Sequence, residues 1–237
     1  MALDTATDRA SVAVGVPPAA AAAAVITGAR RQAAEIIGVI DDVLRGAAVS
    51  RNELAGIVVS DGPGSFTGLR IGWAAAKSLA HEREIPIVAI PALLAVARGA
   101  ATRVGDGLVV SCFDALRGDV FAAAYRISGA TVETVLSPSV LKPAELAQRV
   151  SERPRVTAGD GAVRYADVMR AWSGVAPLAL DDLPPGAESL LALVARDGLG
   201  RRVAAADEPA YGRPAEAQAK WEARHGRPLP DPTSHSG

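Results

Sequence analysis

The residues best arranged for chemistry lie in one stretch, Ser60-Asp61-Gly62-Pro63-Gly64-Ser65-Phe66-Thr67-Gly68-Leu69-Arg70-Ile71-Gly72. Gly62 and Gly64 flank Pro63, which makes a tight loop with bare backbone. An apolar run at 54–59 reads as a buried strand before it, and residues 69–82 read as a helix rich in Ala and Leu after it. Ser65 or Thr67 can cap that helix by accepting a hydrogen bond from a backbone N–H two or three residues on. A glycine-rich loop that opens a helix attracts anions, because free N–H groups and the helix dipole point the same way. The spacing departs from both common phosphate loops. A Walker loop needs Lys and Ser or Thr directly after its second glycine, whereas Gly68 is followed by Leu69 and Arg70. The dinucleotide fingerprint needs a spacing that Gly62, Gly64, Gly68 and Gly72 do not have. Packing is the alternative use of these glycines. Gly68, Gly72 and Ala76 fall at i, i+4 and i+8 with Ala75 beside them, so one helix face is small enough to admit another helix or a sheet. Each glycine inside a helix costs about 1 kcal/mol relative to Ala, and close packing offsets that cost.

Other reactive side chains are scattered. Asp114 and Asp119 flank the turn at 115–118 and could act as paired carboxylates, but no His, Ser nucleophile or metal set accompanies them, so they read as turn-flanking charges. The three histidines, His81, His225 and His235, have no metal-ligand spacing. Cys112, the single cysteine, sits in an apolar run and reads as a buried structural thiol. No catalytic residue and no metal ligand is expected.

The elements that must position these residues follow from composition and period. The 237 residues suffice for one large domain or two small ones. Hydrophobic residues make up 49% and aromatics only 4%, so the core is built from Ala, Val, Leu and Ile. The net charge of −1 gives no basic footprint for nucleic acid. With no apolar run of membrane length and no signal-peptide pattern, the expectation is a soluble, cytoplasmic chain. Residues 1–16 read as two strands around the turn Asp4-Thr5-Ala6-Thr7-Asp8-Arg9. Residues 17–24 fit a loop, a short strand or an insertion. Residues 29–45 read as an amphipathic helix with Ala33, Ile36, Ile37, Ile40, Val43 and Leu44 on one side. A strand at 85–90 precedes a helix at 92–101, with Pro91 at its first position. Strands alternating with helices argue for an α/β layered sheet, with a boundary within 102–107. Strands are then expected at 108–114, 119–127 and 131–136, a helix at 143–153 and a strand at 155–158. Gly159-Asp160-Gly161-Ala162 opens a helix at 163–172, and the last helix is expected at 188–198. Residues 214–237, rich in Pro, Arg, Glu and Ser, read as a disordered tail or one ordered on contact.

The string from Asp61 to Gly72 resembles the signature of the TsaB (YeaZ-like) family of tRNA threonylcarbamoyladenosine biosynthesis proteins. Looser similarity covers residues 1–213. Asp4-Thr5-Ala6-Thr7 is similar to the family's first hairpin, Asp114-Ala115-Leu116-Arg117-Gly118-Asp119-Val120-Phe121 to its second, and Glu208-Pro209-Ala210-Tyr211-Gly212-Arg213 to its closing motif. The resemblance implies an α/β fold of two actin-like (ASKHA, ribonuclease H-like) subdomains, with mixed sheets flanked by helices. These would be 1–104, bearing the partner-binding helices, and 105–213, followed by a flexible tail at 214–237. The implied function is a non-catalytic scaffold that pairs with a TsaD-like transferase and helps recruit a TsaE-like ATPase, meeting tRNA only through the complex. A homodimer is implied when the chain is alone. The implied interface is Ala33, Ile36, Ile37 and Ile40 on the first helix and Gly68, Leu69, Gly72, Ala75, Ala76 and Leu79 on the second. No cofactor of its own is implied, with weak ATP or ADP binding left open at Asp4, Thr5, Gly62, Gly64, Gly159 and Gly161. The chain departs from the family pattern at Gln32, where relatives place a His, and at Leu116, where they place an Arg. Ala6 and Thr7 stand where kinases and chaperones of the actin-like superfamily carry a turn glycine. Two other classes stay open: an actin-like ATPase or small-molecule kinase, and a glycoprotease-type metallopeptidase.

Overall fold

The computed structural model describes residues 1–196, 198–212, 224 and 226, without the side chains of residues 29 and 30. Arg213 and nearly all of the expected tail at 214–237 lie outside the described residues. The described residues build two mixed sheets. In order, the elements are β1 (Ala2–Asp4), β2 (Arg9–Val14), β3 (Ala22–Thr27), α1 (Ala29–Gly46), β4 (Ile57–Ser60), α2 (Phe66–Arg83), β5 (Ile87–Ile90) and α3 (Ala92–Val104). Then come β6 (Gly107–Asp114), β7 (Val120–Ser128), β8 (Thr131–Leu141), α4 (Leu146–Arg149), β9 (Val156–Ala158), α5 (Asp160–Arg164), α6 (Ala166–Ser173), α7 (Gly186–Val194) and β10 (Arg201–Arg202). The first sheet has the order β10-β5-β4-β1-β2-β3 and the second β8-β7-β6-β9. Strands β1, β4 and β5 are parallel neighbours, whereas β1–β2–β3 form an antiparallel meander. In the second sheet β6–β7–β8 repeat the meander and β9 runs parallel to β6.

Three apolar layers explain why these strands are hydrophobic on both faces. Leu3, Val12, Val14 and Val59 meet Ile36, Ile40, Trp73 and Ala76 of α1 and α2 on the outer face of the first sheet. Ala2, Ala13 and Val58 meet α3, α7 and the inner face of the second sheet through Leu93, Leu190, Val109 and Phe113. Val110, Cys112 and Ala122 meet Leu146, Ala162 and Met169 on the far side. The low aromatic content is thus met by thin layers of Ala, Val and Leu.

Several expectations are corrected. Residues 22–27 are a full edge strand, since β3 pairs along its length with β2. The helix expected at 143–153 shrinks to a 3-10 turn at Pro143–Glu145 and the four-residue α4. The helix expected at 163–172 breaks at Tyr165 into α5 and α6. Pro91 is the N-cap of α3 rather than its first residue. Across the expected boundary within 102–107 the two halves exchange a covering helix. α3, from the first half, packs on β6 and β7, whereas α7, from the second, packs on β1, β2 and β4. β10 then pairs with β5 at the far edge of the first sheet.

Candidate functional site

The glycine-rich stretch folds as the end of β4, a loop at 61–65 and the start of α2. Ser65 Oγ accepts from Gly68 N at 3.1 Å and caps α2. Ser65 N donates to Ala6 O at 2.7 Å, drawing the loop onto the β1–β2 turn. A Cβ on Gly64 would lie 2.3 Å from Ala6 O, and one on Gly62, whose φ is +98°, 2.3 Å from Ala210 O. On Gly68 and Gly72 it would lie 2.2 Å from Thr5 O and Thr5 Oγ1. The small-residue face of α2 therefore admits the chain's own β1 and its turn.

α2 has three working faces. Gly68, Leu69, Gly72, Ala76 and Ala80 point inward and are buried. Four of the residues expected at a partner interface, Gly68, Leu69, Gly72 and Ala76, are among these, and Gly68 and Gly72 lie against Thr5. Ile71, Ala74, Ala75, Ser78, Leu79 and Glu82 form a second face. With Ala33, Ile36, Ile37, Ile40 and Arg51 they line a groove of ≈ 430 Å³ between α1 and α2. The six remaining expected interface residues, Ala33, Ile36, Ile37, Ile40, Ala75 and Leu79, all line this groove, and Ile37 is 52% exposed. The third face carries Phe66, Arg70, Trp73 and Lys77. Trp73 is buried, its Nε1 donates to Ser60 O at 3.0 Å, and the Lys77 ammonium and Arg201 guanidinium lie 5.5 and 5.2 Å from its ring centre.

This third face was not legible in the sequence. Arg201 donates to both oxygens of Asp61 at 2.8 and 2.9 Å and also pairs with Asp207 at 2.9 Å. The hydrogen bonds it donates to Asp61 raise the guanidinium's pKa. Gln32 is also internal: its Nε2 donates to Thr7 O at 2.7 Å, tying α1 to the β1–β2 turn. Leu116, by contrast, is 65% exposed at the tip of the β6–β7 turn, with Leu116 and Arg117 at φ +62° and +56°.

The residues left open for nucleotide are dispersed. Asp4 and Thr5 are buried. Asp4 Oδ1 accepts from Ala6 N at 3.2 Å, and a Cβ on Gly186 would lie 1.8 Å from Asp4 Oδ2, so the start of α7 sits against the carboxylate. Burial raises the Asp4 pKa, against the hydrogen bonds from Ala6 and Ser60. The void beside it is only ≈ 20 Å³, room for about one water. Gly159 and Gly161 press on Cys112 and Phe113 of β6, at 2.2 and 2.6 Å from a built Cβ. Gly64 is the one member of the six that lines the large cleft between the halves.

That cleft has a volume of ≈ 970 Å³ and is lined by Phe66, Tyr211, Phe113 and Phe121 together with Arg9, Arg117, Arg164, Asp114, Asp160 and Asp181. Four of its charges pair with one another. Arg9 pairs with Asp181 at 3.1 Å and Arg164 with Asp114 at 3.3 Å. Asp119 pairs with Lys142, so Asp114 and Asp119 serve different cations and do not form a carboxylate pair. Asp160 accepts from Gly161 N at 2.9 Å, and burial raises its pKa. Cys112 is fully buried, and burial raises its pKa as well. Among the described residues no three His, Cys, Asp or Glu side chains gather as metal ligands. His225 and His235 lie outside the described residues. No described helix is long and apolar enough to cross a membrane.

Two meander-plus-crossover sheets that exchange a covering helix make this an actin-like, ribonuclease H-like α/β protein, and its open apolar groove lies on helices that do not carry the cleft's Asp114, Asp160 and Asp181. The family model described as "TsaD: tRNA N6-adenosine threonylcarbamoyltransferase" matches residues 15–176. The tRNA threonylcarbamoyladenosine biosynthesis protein TsaB of Escherichia coli is 30% identical over 90% of this chain and 94% of its own length. The Bacillus subtilis protein of the same name is 32% identical over 77% of this chain and 80% of its own. A Pseudomonas aeruginosa crystal structure, described as similar to peptidase YEAZ, superposes with a TM-score of 0.75 at 28% identity, covering 90% of this chain and 98% of that one. The chain belongs to the TsaB (YeaZ-like) family.

Proposed function

We propose that this chain serves tRNA N6-threonylcarbamoyladenosine formation as a non-catalytic subunit, docking through the α1–α2 groove onto a TsaD-like transferase and helping to recruit a TsaE-like ATPase. The observation that supports this reading most is the groove itself. It is ≈ 430 Å³, mostly apolar, and keeps Ile37 half exposed on a helix whose Ile36 and Ile40 are buried. An open groove lined by apolar side chains of two packed helices supports reading this face as an interaction surface. The transferase supplies the chemistry in this reading, and tRNA is met through the complex, in the cytoplasm. The chain needs no cofactor of its own. A weakly held adenine nucleotide would have to lie in the ≈ 970 Å³ cleft, because α7 occupies the space beside Asp4. When the transferase is absent, the same face takes a second copy of the chain.

Ile37→Asp tests the docking. Burying the exposed half of Ile37 contributes about 1 kcal/mol, and a carboxylate in its place adds a desolvation cost, so affinity for the transferase falls about tenfold or more. Isothermal titration calorimetry against the transferase measures this, with light scattering giving the mass. A wild-type chain that stays monomeric beside the transferase, with and without nucleotide and tRNA, refutes the reading. So does an Ile37→Asp chain that binds as tightly as wild type.

A further inference from the structure

The C-terminal segment 201–212 spans the molecule in a way the docking reading does not use. It starts at the far edge of the first sheet, where Arg201 and Arg202 pair with Ala89 and Val88. Arg201 is bidentate to Asp61 and lies over Trp73. Lys77 Nζ donates to Ala205 O at 2.8 Å and to Asp207 O at 2.5 Å. Ala210 N donates to Asp61 O at 2.7 Å, and Tyr211 meets Phe66 at 4.4 Å between ring centres. Gly212 then fits where a Cβ would be 2.8 Å from Pro63 Cβ and 2.7 Å from Phe121 Cε1. Pro63 belongs to the first sheet's loop and Phe121 to the second sheet's β7. The segment is therefore a tie across the cleft mouth, anchored on α2 at one end and on both halves at the other.

From this geometry we propose that segment 201–212 is a latch that sets the opening of the cleft and couples it to the α1–α2 groove, with Arg201 as its positioning residue. α2 is the connecting rod. Its groove face (Ile71, Ala74, Ala75) and its latch face (Phe66, Trp73, Lys77) belong to one rigid helix. A partner that shifts α2 by about 1–2 Å, as interface helices commonly move, must move the latch with it. The coupling rests on the groove being the docking face, whereas the latch itself does not.

Hydrogen–deuterium exchange on the full chain tests both parts. In Arg201→Gln, the amides of 61–66 and of 113–121 should exchange about tenfold faster, the scale of losing charge-assisted hydrogen bonds, while the central amides of β1 and β6 keep their protection. The Phe66→Ala/Tyr211→Ala double variant should speed 210–212 and the start of α2 together with 113–121. Faster exchange confined to 201–212 overturns the latch, and so does uniform acceleration through both sheets. Adding the transferase to wild type should slow exchange in 204–212, remote from the groove. Protection limited to α1 and α2 overturns the coupling. If the transferase does not bind, the docking reading and the coupling fall together, and Arg201→Gln still decides the latch.

Discussion

Replacing Gly72 by Ala should destabilise the chain by about 1–2 kcal/mol, although alanine is the better helix former. The added Cβ would sit 2.2 Å from Thr5 Oγ1, 3.1 Å from its Cγ2 and 3.2 Å from its Cβ. Thr5 is fully buried and has backbone on both sides, so it cannot swing into solvent. Overpacking costs typically 1–3 kcal/mol; a 2.2 Å approach puts this site in the upper part, about 2–3 kcal/mol, and removing a helix-interior glycine returns about 1 kcal/mol. For a domain of this size the net loss lowers the melting temperature by about 2–8 °C. Thr5→Ala should largely rescue the variant, because it removes the two nearest atoms, one of them a hydroxyl oxygen that has no hydrogen-bond partner. Urea denaturation of the two single variants and the double variant gives the coupling energy. A Gly72→Ala chain as stable as wild type, or a double variant that shows no coupling, refutes the inward assignment. It would return Gly72 to the surface, at the partner interface that the family resemblance implies.

Gly159→Ala should cost more than Gly72→Ala, since its Cβ would meet Cys112 O at 2.2 Å and its φ is +109°; thermal unfolding measures it. Asp4 has a folded pKa raised by burial, so its contribution to stability is present below its unfolded pKa and is lost as pH rises through the folded value. Asp4→Asn, which removes that ionisation, should therefore stabilise the chain at neutral pH relative to wild type and flatten the acid side of the stability profile. A less stable Asn variant at pH 7 contradicts this. Cys112 should stay unlabelled by a thiol reagent at pH 8 until the chain unfolds, because it is fully buried and its thiolate is disfavoured; fast labelling of the native chain argues against its burial.

The sequence carried the elements better than their partners. Strands and helices have local periods of two and about three and a half residues, so α1, β6 and β7 were visible from Ile36, Ile40 and the Val109-to-Phe113 run. The stripe Gly68, Gly72, Ala76 was visible too, but period alone cannot say whether a small face turns inward or outward, and Thr5 lies more than sixty positions from it. Ile37 stands out only when Ile36 and Ile40 are seen buried beside it. The exchange of α3 and α7 between sheets leaves no local mark. The Arg201–Asp61 pair joins residues 140 apart, and no spacing rule reaches that far. Gln32 departs from the family pattern at a position that meets the first turn.

The return of α7 to the first sheet sets the order in which the chain can be finished on a ribosome. β1 and β2 emerge first, yet the helix that covers their inner face begins only at Gly186. At about 5–20 residues per second, that face waits roughly 10–40 seconds for its cover. The interval invites chaperone capture and makes late truncations worse than their length suggests. A chain ending at residue 185 should bind a hydrophobic dye strongly, whereas one ending at residue 212 should not. Equal dye binding by the two would show that α3 and the second sheet suffice to shield the young face.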